Sequence, residues 1–116
     1  MTDFKTLDVW RIGHELTCEV YRTTRFFPKV EQYGLVQQIR RAGVSIGANI
    51  AEGCGRGTDR ELAHSASIAL GSANELQYLL FLSVDLGFLV DRSLVAESAR
   101  VCRMLGSFRA SVRRRI

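Results

Sequence analysis

Fourteen of the sixteen basic residues in this 116-residue chain are arginines. Arginine presents a planar fork of donors that suits bidentate contact with carboxylate or phosphate. The bias therefore points to internal ion pairs, to polyanion binding, or to both. The last eight residues carry Arg109, Arg113, Arg114 and Arg115, whereas residues 1–108 hold twelve basic and twelve acidic side chains. The net charge of +4 is thus a property of the C-terminal tail. One reading is a helix end whose cations face the negative pole of the helix dipole. The other is a contact with a polyanion, nucleic acid first among them. A cyclic oligomer would bring several such tails together and multiply their field.

Arg40 and Arg41 are adjacent on a helix whose other faces are apolar or small. Structurally, at least one should pair with a carboxylate of a neighbouring helix, and Glu75, set among apolar residues, is the best candidate. Functionally, the two would bind phosphate. Asn49 falls in the apolar seam of the same helix, with Glu52 three residues on. A seam amide commonly fixes register or oligomer state. Asn49, Glu52 and Glu75 are accordingly assigned structural, register-setting roles. The run Gly53-Cys-Gly-Arg-Gly57 lacks the Gly-Lys-Ser/Thr of a phosphate-binding loop and reads first as a turn. An anion at the start of the next helix, aided by Arg56 and Arg60, is the alternative.

Enzymatic chemistry has little support. His14 and His64 lie on different helices without metal-ligand spacing. Ser65, Ser67 and Ser72 lack a nucleophile-elbow context. Cys18, Cys54 and Cys102 are odd in number and widely spaced, so they read as reduced thiols rather than disulfides or a zinc site. The expectation is a non-enzymatic protein without metal or cofactor.

The elements that position these residues follow from helical periodicity. Val9, Ile12, Leu16, Val20 and Phe27 step by threes and fours, which predicts a helix over about 7–26 ended by Pro28. Leu35, Ile39, Ala42, Ile46, Asn49 and Gly53 predict a second over about 34–54. Gly43 and Gly47 on another side of it suit a close helix crossing. Thr58-Asp-Arg-Glu61 is a capping box opening a third helix over about 59–86. Leu62, Ala66, Ala69, Ala73, Leu76, Leu80 and Ser83 form its seam. Leu70, Leu79, Phe81, Leu82 and Leu86 make its second half apolar nearly all round. A lone small bundle cannot bury every face of such a helix, so a homo-oligomer is expected. Leu94, Val101, Leu105, Phe108 and Val112 mark a fourth helix over about 92–113.

Four amphipathic helices with short connections fold most simply as an up-down bundle. Apolar residues at 47% suffice for one core, which makes residues 1–116 a single all-α domain. No apolar run reaches the length of a membrane span. The start, MTDFKTLDVW, lacks a basic region followed by an apolar stretch, so cytoplasm is the expected compartment.

Over residues 26–87 the pattern becomes specific. Phe27-Pro28, Glu31, Gly34-Leu35, Gln38-Ile39-Arg40-Arg41-Ala42, Ser45-Ile46, Asn49-Ile50-Ala51-Glu52-Gly53, Arg56, Ala69-Leu70-Gly71-Ser72, Glu75-Leu76 and Asp85-Leu86-Gly87 carry it. Val9-Trp10 and the stretch from Leu16 to Tyr21 fit as well. Together they resemble the four-helix bundle family first noted as open reading frames within intervening sequences of bacterial large-subunit ribosomal RNA genes. The resemblance implies a left-handed four-helix bundle assembled as a homopentamer, and no catalytic activity is established for the family. The family is similar to the accessory variability proteins of diversity-generating retroelements, basic pentameric barrels that bind nucleic acid and a reverse transcriptase. The neutral body here departs from that basic character and leaves the tail and Arg40-Arg41 as the carriers of such a role.

The sequence thus favours an oligomeric bundle that binds nucleic acid, structured RNA above DNA. Its candidate contacts are Arg40, Arg41, Arg56, Arg60, Arg109, Arg113, Arg114 and Arg115. The alternative is a protein-interaction scaffold for a partner encoded nearby.

Overall fold

Val9, Ile12, Leu16 and Val20, one face of a 3.6-residue repeat, are all buried in the computed structural model, which describes residues 2–116. They belong to helix α1, Asp8–Thr24. Helices α2, Leu35–Arg56, α3, Asp59–Asp85, and α4, Ser93–Arg113, complete the architecture, and no strand occurs among the described residues. Short 3-10 turns precede α1 at Phe4–Thr6 and α2 at Lys29–Glu31.

Each helix packs on the next, and α4 returns to α1, closing a square. The principal extents of 45 × 21 × 19 Å fit one helix length by about two helix diameters. Only Gly57 and Thr58 separate α2 from α3, so these two pack antiparallel. The α3 seam named above is buried in full, from Leu62 to Ser83. In α4, Val101, Leu105 and Val112 are buried, while Leu94 and Phe108 are half-buried.

The two ends of the square differ. The connections after α1 and α3 meet at one end, where the Phe27 and Phe88 rings lie 5.6 Å apart. Phe26, Val30, Tyr33 and Val90 stand exposed there. The C-termini of α2 and α4 and the start of α3 meet at the other, where the arginines collect.

The glycine-rich run does not stop α2 where the sequence suggested. The helix continues through Gly53 and Gly55 to Arg56, and Gly57 ends it in the left-handed region at φ 92°. Gly53 is instead a packing residue: a Cβ there would stand 2.6 Å from Cβ of Ser65 on α3. Thr58 then caps α3 by accepting from the Glu61 amide, and its hydroxyl donates to the Glu61 carboxylate. Gly43 and Gly47 lie against Thr17 and Trp10, which identifies their close crossing as the one between α1 and α2. The Thr17 hydroxyl lies 2.9 Å from the carbonyl of Gly13 and 3.0 Å from that of Gly43, sealing this crossing.

Candidate nucleic-acid interface

Adjacent residues on a helix point about 100° apart. That rotation separates Arg40 from Arg41. Arg40 turns toward α1, where Nε donates to the Thr24 hydroxyl at 3.0 Å and an outer nitrogen donates to the Tyr21 carbonyl at 3.2 Å. Its guanidinium also lies over the Tyr21 ring, 4.5 Å from the centroid. The last four carbonyls of a helix have no partner within it. Arg40 therefore ties the C-terminal end of α1 to α2.

Arg41 turns into a groove between α2 and α3. Glu75 lines the same groove, yet no ion pair within 4.0 Å joins either Arg40 or Arg41 to it. The expected interhelical ion pair is thus corrected. Arg40 is satisfied by helix-end oxygens of α1 instead, and Arg41 remains exposed across the groove from Glu75.

The polar contact that does join α2 to α3 is a serine pair, with the Ser45 and Ser72 hydroxyls 2.7 Å apart. Asn49 is half-buried beside the seam rather than in it. Its amide donates to the Ser45 carbonyl at 2.8 Å and to the Ser45 hydroxyl at 2.9 Å. Asn49 thus acts on α3 through Ser45. Glu52 faces solvent and accepts from Arg56 at 2.8 Å, one turn on in the same helix, so it bridges no helices. That bond and the neighbouring Glu61 charge hold the Arg56 guanidinium more firmly protonated.

At the far end, the tail folds back. Arg115 forms a two-point bond to Asp59, at 2.9 and 3.2 Å, and holds the Asp59 carboxyl below its usual range. Arg109 donates to the Ser67 hydroxyl at 3.3 Å. Arg60, Arg113 and Arg114 are exposed and have no carboxylate within 4.0 Å among the described residues. From Arg41 to Arg56 is fifteen residues, about 22 Å of helix. The eight arginines thus fall into three places: Arg40 at the α1–α2 crossing, Arg41 in the α2–α3 groove, and the other six toward the arginine-bearing end.

The remaining candidates resolve simply. His14 stacks on Trp10, with centroids 4.7 Å apart. Burial pushes the Cys54 and Cys102 thiols up, with Asp3 adding to the shift at Cys54 and Arg103 opposing it at Cys102. Among the described residues, no helix is long and apolar enough to cross a membrane.

Comparison with known proteins sets these features in context. A family model described as 23S rRNA-intervening sequence protein matches residues 5–107. The match takes in Arg40, Arg41, Asn49 and Glu75 and ends before Arg109. A crystal structure from Bacteroides thetaiotaomicron VPI-5482, described as a protein with unknown function from the S23 ribosomal protein family, is similar to this chain at 28% identity. The likeness has a TM-score of 0.77 and covers 86% of this chain and 96% of that one. No curated protein matches the sequence.

Proposed function

We propose, from the premise that the chain belongs to the 23S rRNA-intervening sequence protein family, that it is a non-enzymatic bundle that binds RNA through arginines. The observation that carries this reading is the state of Arg60, Arg113 and Arg114. Several basic side chains on these helices meet an acidic partner, as in Arg11 with Glu15, Arg22 with Glu19 and Arg100 with Glu97. These three do not, and they share one end of the molecule. The Arg115–Asp59 bond brings the end of the chain to the start of α3 and so gathers them. Unpaired guanidinium groups attract phosphate without base selectivity.

A bundle assembled as a left-handed homopentamer is part of the same reading. Its support is the outward face of α3. Ile68, Tyr78 and Phe81 are exposed there and Leu86 just past its end, with Glu75 and the paired Asp85 and Arg92 as nearby charges, the Arg92 guanidinium lying 4.9 Å over the Phe81 ring. Assembly would repeat the arginine-bearing end several times around one axis. Light scattering should then give a mass near five times the 13.0 kDa of one chain. A 13.0 kDa particle at micromolar concentration would exclude a ring.

The direct test is a pull-down from cells with and without nuclease, followed by sequencing of bound nucleic acid. Enrichment of a defined RNA supports the proposal. Recovery of a protein partner that resists nuclease, with no RNA enriched, would favour a scaffold. The exposed Phe26, Val30, Tyr33 and Val90 at the opposite end are the surface such a partner would meet. Both readings place the protein in the cytoplasm.

A further inference from the structure

Arg41 and Glu75 face one groove without being committed to a charge partner. Neither has an opposite charge three or four residues away on its own helix, and neither forms an ion pair across the helices among the described residues. They line one groove of about 570 Å³, a volume ordinary for a small-molecule site. Gln37 and Gln38 add primary amides to the α2 wall, and the bonded Ser45–Ser72 pair lines it too. Tyr33 is also part of the lining, with 86% of its surface open.

We propose that this groove holds one unpaired nucleotide of an RNA strand, and that its base is guanine. The inference rests on the RNA-binding reading above and adds a base-selective site to it. A phosphate would meet the Arg41 fork, which matches its oxygens in a bidentate way. The base would stack on the open Tyr33 ring, the usual means of holding a splayed single-stranded base. Glu75 supplies the selectivity. An ionised carboxylate only accepts hydrogen bonds, at two oxygens side by side. The Watson–Crick edge of guanine presents two adjacent donors, N1–H and the N2 amino group, which match both oxygens. Adenine and cytosine offer one amino donor beside an acceptor nitrogen. Uracil offers one N–H flanked by two carbonyls, which repel the carboxylate.

The test uses the full chain, freed of nucleic acid, and two probes. The first is a set of labelled uridine heptamers carrying G, A, C or U at the centre. The G heptamer should bind about tenfold more tightly than the others, the scale of one good bidentate base contact. Glu75→Gln should abolish that preference, leaving the G heptamer no tighter than the other three. Arg60→Ala/Arg113→Ala/Arg114→Ala should weaken all four heptamers and keep their ratio. The second probe is the free 5′-monophosphate of each nucleoside, followed by chemical shifts of the Arg41 side chain and the Tyr33 ring. Only the guanosine nucleotide should move both. Equal heptamer affinities, or a preference that survives Glu75→Gln, would overturn the guanine site and leave the RNA-binding reading intact. Guanosine monophosphate bound at Arg41 and Tyr33 with no heptamer bound at all would sustain the site and sink the RNA-binding reading. Silence from all four mononucleotides and all four heptamers would overturn both.

Discussion

The guanidinium nitrogens of Arg115 stand 2.9 and 3.2 Å from the two carboxylate oxygens of Asp59, closing a contact between residues 56 positions apart. The pair joins the turn that follows α4 to the first turn of α3. It also leaves a negative charge at a helix N-terminus, where the dipole favours it.

That contact fixes a pH dependence. The hydrogen bond and charge of Arg115 lower the Asp59 carboxyl in the folded state. A lowered pKa contributes above the ordinary carboxylate range and is lost as pH falls through the depressed value. Carboxyl resonances followed by NMR should show Asp59 titrating below the usual range in the wild type. In Arg115→Ala the midpoint should rise. The same midpoint in both proteins would mean that the clasp does not form in solution.

Gly53 sets the tightest approach of α2 to α3. A Cβ there meets Ser65 Cβ at 2.6 Å and Leu62 Cδ1 at 3.1 Å. Gly53→Ala should therefore cost about 1–3 kcal/mol through overpacking, despite the helix propensity that alanine brings. Gly106→Ala in α4 meets nothing within 4 Å and should stabilise by up to about 1 kcal/mol. Urea midpoints of the two variants check this, and a stabilised Gly53→Ala would contradict the packing.

Ser45 and Ser72 form the polar link between the same two helices. Their double-mutant cycle to alanine should give a coupling of about 0.5–1.5 kcal/mol, the net value of one hydrogen bond. Strict additivity would show that water replaces the bond without loss. Asn49→Ala should lower the coupling, because its amide bonds Ser45 and not α3.

Arg40 holds the end of α1 with two hydrogen bonds and a ring contact. Arg40→Ala should cost about 1–3 kcal/mol, and Arg40→Lys should recover little of it, since an ammonium lacks the fork. Hydrogen exchange at the amides of residues 21–27 should rise in both. Exchange unchanged there would place the role of Arg40 elsewhere.

The helices were legible because each core face repeats at one period. Val9, Ile12, Leu16 and Val20 announce α1, and Leu62 to Ser83 announce α3. The end of α2 was not, because Gly53, of a type that elsewhere breaks a helix, is here required by the neighbouring Ser65. The site was legible only in part. Arg40 and Arg41 are the same residue type side by side, and nothing local says which faces α1 and which faces α3. The Ser45–Ser72 link and the Arg115–Asp59 clasp depend on how helices distant in sequence align. Short polar side chains carry no periodic signal that reports such an alignment.

In the proposed function, unpaired arginines at one end of the bundle bind RNA. The most direct measurement is the salt dependence of RNA affinity for the wild type and for Arg60→Ala/Arg113→Ala/Arg114→Ala. Each lost phosphate contact on a single strand should reduce the slope of log affinity against log salt by about 0.7, so the triple variant should lose about 2. A steep slope in the wild type and that reduction in the variant are expected. An RNA affinity too weak to measure at low salt, or an identical slope in the two proteins, would contradict the proposed function.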